Sequence, residues 1–431
     1  MELKGFKKYF ANTSWLMAEK IFRMAVALSV GVYVARYLGP GRFGVLSYAM
    51  SVVVLFSALS SLGLNGILVR ELVNFPKKRD EFLGTAFILK LSGSGLVLIL
   101  LSITLYFMGD DRQSNLMIFI IAAGLVFQSF NVIQSYFEAR VLSKYFVFAQ
   151  IISLLVVSIA KLIFILMSLS LIYFALAVLI ESIILAVGLA IVYLKQNFNI
   201  LSWQFKLKTA TGLLKDSWPL ILSAIAISIY MRIDQIMIKQ MLGTEAVGQY
   251  AAAVRLSEAW YFIPVVITGS LFPAILNAKK TSEEQYYRRL QKLYGLMVWI
   301  SLPIALVMTF MAGNIVLLLY GTQFSKAGPV LAVHIWAGVF VFLGVASGKY
   351  LVAENYTRIS FFRTLIGCIV NVILNITLIP RYGINGAAIA TVVSYFVATF
   401  FIVFIPKTNR QVVLMLKSLN LLETMNSKMK I

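Results

Sequence analysis

Residues Tyr230 to Tyr250 read Y-M-R-I-D-Q-I-M-I-K-Q-M-L-G-T-E-A-V-G-Q-Y, between long apolar runs on either side. The apolar positions predict one helix that ends near Met241 and another that starts near Val247, with Leu242-Gly243 at the turn. Arg232 and Asp234 interrupt the first helix, and Arg255 and Glu258 follow in the second. A charged side chain facing hydrocarbon costs about 3 kcal/mol, so four charges at this depth require partners or a polar cavity.

Working outward, the same pattern recurs along all 431 residues. The chain is 60% hydrophobic and 13% charged, against roughly 45–50% and 25% in soluble domains. The expected fold class is therefore all-α integral membrane, with about twelve transmembrane helices. The expected spans are about 14–37, 44–68, 82–107, 115–137, 146–167, 171–194, 217–240, 247–274, 291–312, 327–348, 359–379 and 384–405. The basic start M-E-L-K-G-F-K-K-Y-F runs into the first span without a cleavage site, so it reads as a retained span.

Net charge is +21. In a soluble chain this would suggest nucleic acid; here it is read as basic loops on an anionic bilayer face, with no nucleic-acid partner. Of the 38 Lys and Arg, 26 fall on the side of the N-terminus, 6 on the other and 6 within spans. Both termini are thus expected in the cytoplasm. The longest inside loop divides the chain into a six-helix lobe (1–195), a cytoplasmic linker (196–216), a second six-helix lobe (217–406) and a cytoplasmic tail (407–431). In the tail, Val412, Met415, Leu416, Leu419 and Leu422 share a helical face and suggest an interfacial helix.

An internal repeat links the lobes. Leu38-Gly39-x4-Gly44 and Leu242-Gly243-x4-Gly248 lie 204 residues apart, and Ser14-Trp15 and Ser217-Trp218 lie 203 apart. Both copies sit at equivalent places in their lobes. Six spans per lobe make the two copies insert the same way up, as parallel repeats. A second echo, Gly63-Leu64-Asn65-Gly66 and Gly383-Ile384-Asn385-Gly386, falls on opposite faces in this topology and carries little weight.

The intramembrane charges are Glu19, Lys20, Arg23, Lys90, Lys161, Glu181, Arg232, Asp234, Arg255 and Glu258. Facing lipid together, they would cost on the order of 30 kcal/mol. Glu19 and Arg23 can pair at i,i+4, and Arg255 and Glu258 at i,i+3. Lys161 and Glu181 lie at similar depth on adjacent spans. Arg232 and Asp234 point apart, so each looks elsewhere; Arg255 is at the right depth to meet Asp234. Lys20 and Lys90 can snorkel or face a cavity. The candidate cavity residues are Arg23, Arg232, Asp234, Arg255, Glu258, Lys20 and Lys90. A basic cavity between the halves would hold an anionic headgroup, since guanidinium forks match phosphate oxygens.

Catalytic signatures are missing. Gly344 to Lys349 falls one residue short of a phosphate-binding loop, and Tyr350 stands where its hydroxyl residue belongs. One cysteine (Cys368) and one histidine (His334) offer neither a disulfide nor a metal site. No cofactor is expected. The outer pair Asp110-Asp111 is the one feature that would fit a metal-dependent membrane glycosyltransferase or polymerase.

Several motifs resemble polysaccharide-repeat flippases of the Wzx type: Y-V-A-R-Y-L-G-P-G-R-F-G-V-L-S-Y-A-M from Tyr33, N-T-S-W from Asn12, Y-M-R-I-D-Q-I-M-I from Tyr230, M-L-G-T-E-A-V-G-Q-Y-A-A-A from Met241 and P-R-Y-G-I-N-G-A-A-I-A-T from Pro380. This family belongs to a superfamily that also contains multidrug and toxin extruders and peptidoglycan-precursor flippases. The resemblance implies a non-enzymatic exporter in the cytoplasmic (inner) membrane. Its cargo would be an undecaprenyl-diphosphate-linked oligosaccharide, such as an O-antigen repeat unit, moved by alternating access. It places the family's cationic cavity on Arg23, Arg232 and Arg255. Coupling to H+ or Na+ is a further expectation, with Asp234 or Glu258 as the protonation site, and other polysaccharide-assembly membrane proteins are expected partners. A multidrug or cation extruder of the same fold is the alternative.

Overall fold

The computed structural model describes residues 2–109 and 111–419, with side chains for 15–107, 109 and 111–418. Every regular element among them is helical. Ten helical stretches are long and apolar enough to cross a bilayer. Side chains such as Tyr106, Leu166 and Phe310 stand more than four-fifths exposed, as they must if lipid is their solvent.

The chain forms two compact units, Met1–Ile236 and Met237–Ile431. Unit 1 contains α1 (Glu2–Ser61), α2 (Leu64–Asn74), α3 (Arg79–Met108), α4 (Arg112–Phe127), α5 (Val132–Ala139), α6 (Lys144–Leu166), α7 (Leu171–Lys195) and most of α8 (Leu207–Leu242). Unit 2 takes the end of α8, then α9 (Thr244–Glu258), α10 (Phe262–Thr281), α11 (Glu283–Tyr320), α12 (Ala327–His334), α13 (Ala337–Ala353), α14 (Thr357–Phe400) and α15 (Asn409–Leu419).

Two helices are too long for a single crossing. At 1.5 Å per residue, α1 would extend about 90 Å and α14 about 66 Å, against a hydrocarbon core of about 30 Å. Each is bent at a glycine: Gly39 in α1 (φ 69°, ψ 169°) and Gly383 in α14 (φ 60°, ψ −142°). Twelve crossings result if each of these helices crosses twice. Gly243, between α8 and α9, has φ 86° and ψ 178°, close to Gly39. The two Leu-Gly turns of the repeat therefore share a backbone conformation reserved for glycine. The weaker echo is not structural. Gly63 is left-handed with ψ 12°, unlike Gly383. A Cβ on Gly386 would lie 2.2 Å from the Leu378 carbonyl oxygen, whereas one on Gly66 would meet nothing.

In unit 1, α1 packs against α3, α4 and α6, while α7 packs on α4 and α6. An apolar cluster joins Leu64 and Leu68 of α2, Leu83 of α3, Phe137 of α5, Val147 of α6 and Leu213 of α8. The 196–216 segment is built into this unit. Trp203 meets Phe87 at a tilt and Tyr193 edge-on, and Gln204 N donates to the Asp80 carbonyl at 3.1 Å. Lys206 Nζ and Thr209 Oγ1 both reach Glu81.

In unit 2, α11 contacts α10, α12, α13 and α15, and α9 packs on α12. The tail helix α15 docks on α11 through buried Gln411, Val412, Met415 and Ser418, while Leu416 is exposed. Gln411 Nε2 donates to Tyr294 Oη at 3.0 Å and to Ser347 Oγ at 2.8 Å. Arg363 donates to the same Ser347 hydroxyl at 2.9 Å. Leu422, the last residue of the expected amphipathic face, lies outside the described residues, as does the side chain of Leu419.

Candidate functional site

The first group of intramembrane charges forms one chain within unit 1. One turn of α1 separates Glu19 from Arg23, and Arg23 Nε meets Glu19 Oε1 at 2.5 Å. Packing of α7 and α6 near this turn brings Arg23 Nη1 to 3.9 Å from Glu181 Oε1, and Lys161 Nζ to 3.9 Å from Glu181 Oε2. Two acids and two bases thus alternate and sum to zero. Glu19 is buried; the other three are a quarter to a third exposed. Both sequence-derived pairs are present. The link from Arg23 to Glu181 depends on helix packing and joins them. Lys20, one residue from Glu19, is exposed.

Lys90 on α3 is only 3% exposed, which is too deep for snorkelling. Its ammonium donates to Asn65 Oδ1, in the first turn of α2, at 2.6 Å. Nearby in the fold, Gln134 donates to Glu138 at 2.8 Å and Gln150 to Gln134 at 3.3 Å.

Arg232 and Asp234 both lie on α8 in unit 1, Arg232 half-buried and Asp234 buried. The neighbouring Gln235 is also buried and accepts a hydrogen bond from Ser51 of α1 at 2.9 Å. This ties the C-terminal part of α8 to α1. Arg255 and Glu258 are half-buried on α9 in unit 2. Between them Ser257 is fully buried, with His334 Nδ1 at 2.9 Å from its hydroxyl. His334 in turn meets Tyr250 edge-on. The one histidine is thus a packed polar contact in α12. No group of three or more metal-ligating side chains occurs among the described residues.

Sequence reasoning missed one buried pair. Asn375 Nδ2 donates to Asn371 Oδ1 at 3.0 Å inside α14, and both residues are fully buried. Their i,i+4 spacing in an apolar run was the available signal. The outer acidic pair has a structural role for its described member. Asp111 caps α4, accepting from Ser114 N at 2.8 Å and from Ser114 Oγ at 2.7 Å. Asp110 lies outside the described residues.

These features define a multi-pass, all-helical membrane protein with two compact units and ionic groups inside its spans. Its fold matches solved transporters. It aligns with the lipid II flippase MurJ in an inward closed conformation at a TM-score of 0.70 and 16% identity, covering 98% of this chain and 93% of that one. An inward-facing multidrug resistance MATE family transporter of the MOP superfamily aligns at 0.68 and 15% identity, over 95% and 96%. At these identities the likeness is one of fold.

The sequence narrows the class. Residues 9–279 match the family described as polysaccharide biosynthesis protein, and residues 203–427 match that of the lipid II flippase MurJ. The chain belongs to the polysaccharide biosynthesis protein family. Among curated relatives, the probable flippase AglR of Haloferax volcanii is 32% identical over 169 residues, 38% of this chain and 35% of that protein. The probable low-salt glycan biosynthesis flippase Agl15 of the same organism is 25% identical over 193 residues, 44% and 41%. The matched stretches span about two fifths or less of these relatives' lengths.

Proposed function

We propose that this chain is a flippase that carries a polyprenyl-diphosphate-linked oligosaccharide across the cytoplasmic membrane by alternating access. The observation that supports this most is the pair of overlapping family matches, which together run from residue 9 to 427. The two Haloferax relatives, named as flippases, point the same way.

The chemistry is consistent with that cargo. A diphosphate inside a low-dielectric span needs fixed cations with several donors, which guanidinium groups supply. In this reading Arg23, Arg232 and Arg255 contact the headgroup, with Arg23 also shared by two carboxylates. Lys20 and Lys90 take secondary places. Asp234 and Glu258 carry the coupling to an H+ or Na+ gradient. A multidrug extruder shares the fold, but the family matches favour a glycan-lipid cargo.

Complementation tests this reading. In a host dependent on this chain for its surface polysaccharide, Arg232→Ala and Arg255→Ala should each abolish export while the protein remains in the membrane. Unchanged surface polysaccharide with both variants would overturn the assignment of these arginines.

A further inference from the structure

Away from the charges above, unit 2 holds a recess of about 510 Å3 between α10 and α11. One wall carries Leu271 and Ala274 of α10; the other carries Arg289, Lys292, Leu296 and Trp299 of α11. The α11 residues are spaced by three, four and three, so they share one helical face. That face is basic at one end and apolar at the other. From Arg289 to Trp299 it runs about 15 Å along the helix, half of a hydrocarbon core of about 30 Å. The lined face is therefore about as long as one leaflet is thick.

We propose that this recess is a binding site for one anionic glycerophospholipid, with its phosphate at Arg289 and Lys292 and an acyl chain against Leu296 and Trp299. Two observations support it. Both basic side chains are exposed, and among the described residues no carboxylate pairs with either. Two nearby acids are engaged elsewhere: Glu283 with Arg410 at 2.9 Å, and Glu354 with Lys279 at 2.7 Å. Second, Arg289 Nη1 donates to the Ala274 carbonyl at 2.6 Å. This fixes the guanidinium across the mouth and leaves its other N–H groups available. Trp299, 42% exposed, sits at the apolar end, where a free inorganic anion would have nothing to contact. Basic recesses between membrane helices suit anionic lipid heads in this way.

Trp299 provides the probe. The full chain is placed in nanodiscs containing either phosphatidylglycerol or phosphatidylcholine with brominated acyl chains. Quenching of Trp299 is taken as the difference between the native protein and Trp299→Phe. Phosphatidylglycerol should be preferred by roughly fivefold for each basic side chain, the size expected for a Lys or Arg at a membrane surface. The preference should vanish in the Arg289→Gln/Lys292→Gln double variant. Ala274→Leu, which narrows the recess without touching charge, should reduce quenching by both lipids. Gel filtration and circular dichroism confirm that each variant is folded. Equal quenching by the two lipids in the native protein, or a preference that survives in the double variant, would overturn the site. Relief of quenching by millimolar inorganic phosphate would assign the basic mouth to a free anion and overturn the lipid.

Discussion

Glu19 is buried, and the 2.5 Å contact with Arg23 holds its charge inside the membrane. Removing one member of a buried pair leaves the other uncompensated, which is the costly direction. Arg23→Ala should therefore destabilise the detergent-solubilised protein by roughly 1–3 kcal/mol, between the limits for exposed and buried pairs. The double variant Glu19→Leu/Arg23→Met should lose less than Arg23→Ala alone, because it leaves no uncompensated carboxylate at the buried position 19. Denaturant unfolding measures both; a double variant that loses more would show that the pair is not the relevant unit. The pair was legible from i,i+4 spacing, and Lys161 with Glu181 from matching depth. The Arg23–Glu181 contact was not, because it depends on how α1 meets α7. The fate of Lys90 was equally hidden: its span shows one lysine near an end, and only the approach of α2 supplies Asn65 as its partner.

Turns and linkers belong to the next scale. Gly243 has positive φ and open space where a Cβ would go, so the cost of alanine there is in the backbone alone. Gly243→Ala should cost about 1–3 kcal/mol. Gly41→Ala, also in open space but in a helical conformation, should be neutral or stabilising by up to about 1 kcal/mol. Thermal unfolding in one detergent compares them, and equal effects would contradict the conformational argument. The Leu-Gly repeat was readable because glycine is the residue type such a turn demands. The role of the 196–216 segment was not readable. Its basic, polar composition suggests a free loop, whereas Trp203 and Gln204 are held by groups far away in sequence. Gly84 lies against it: a Cβ there would come within 2.6 Å of Gln204 N. Gly84→Ala should push the segment off and increase trypsin cleavage at Lys195 and Lys206. Unaltered cleavage would mean that the contact does not hold the segment.

At the scale of the whole molecule, composition alone pointed to a helical membrane protein, since an amount of apolar surface this large has no aqueous solution. The repeat pointed to two lobes, but it placed the second from residue 217, whereas the two units divide between Ile236 and Met237, inside α8. The tail helix was legible as amphipathic, but the face it buries includes Gln411 and Ser418, and Leu416 points away. A polar residue seated on Tyr294 and Ser347 cannot be recognised from hydrophobic spacing. For transport, the proposed function gives weight to charged residues in both units. Arg232 and Asp234 cannot face each other on one helix, and Arg255 and Glu258 lie in the other unit. The most direct measurement is translocation in proteoliposomes. The purified chain would be reconstituted with a fluorescent polyprenyl-diphosphate oligosaccharide, and access of the sugar to an external lectin followed over time. The account predicts exchange between leaflets that depends on the native protein and is lost in folded Arg232→Ala and Arg255→Ala variants. Lipid exchange no faster than in protein-free vesicles, from a folded native protein under an imposed H+ or Na+ gradient, would contradict it.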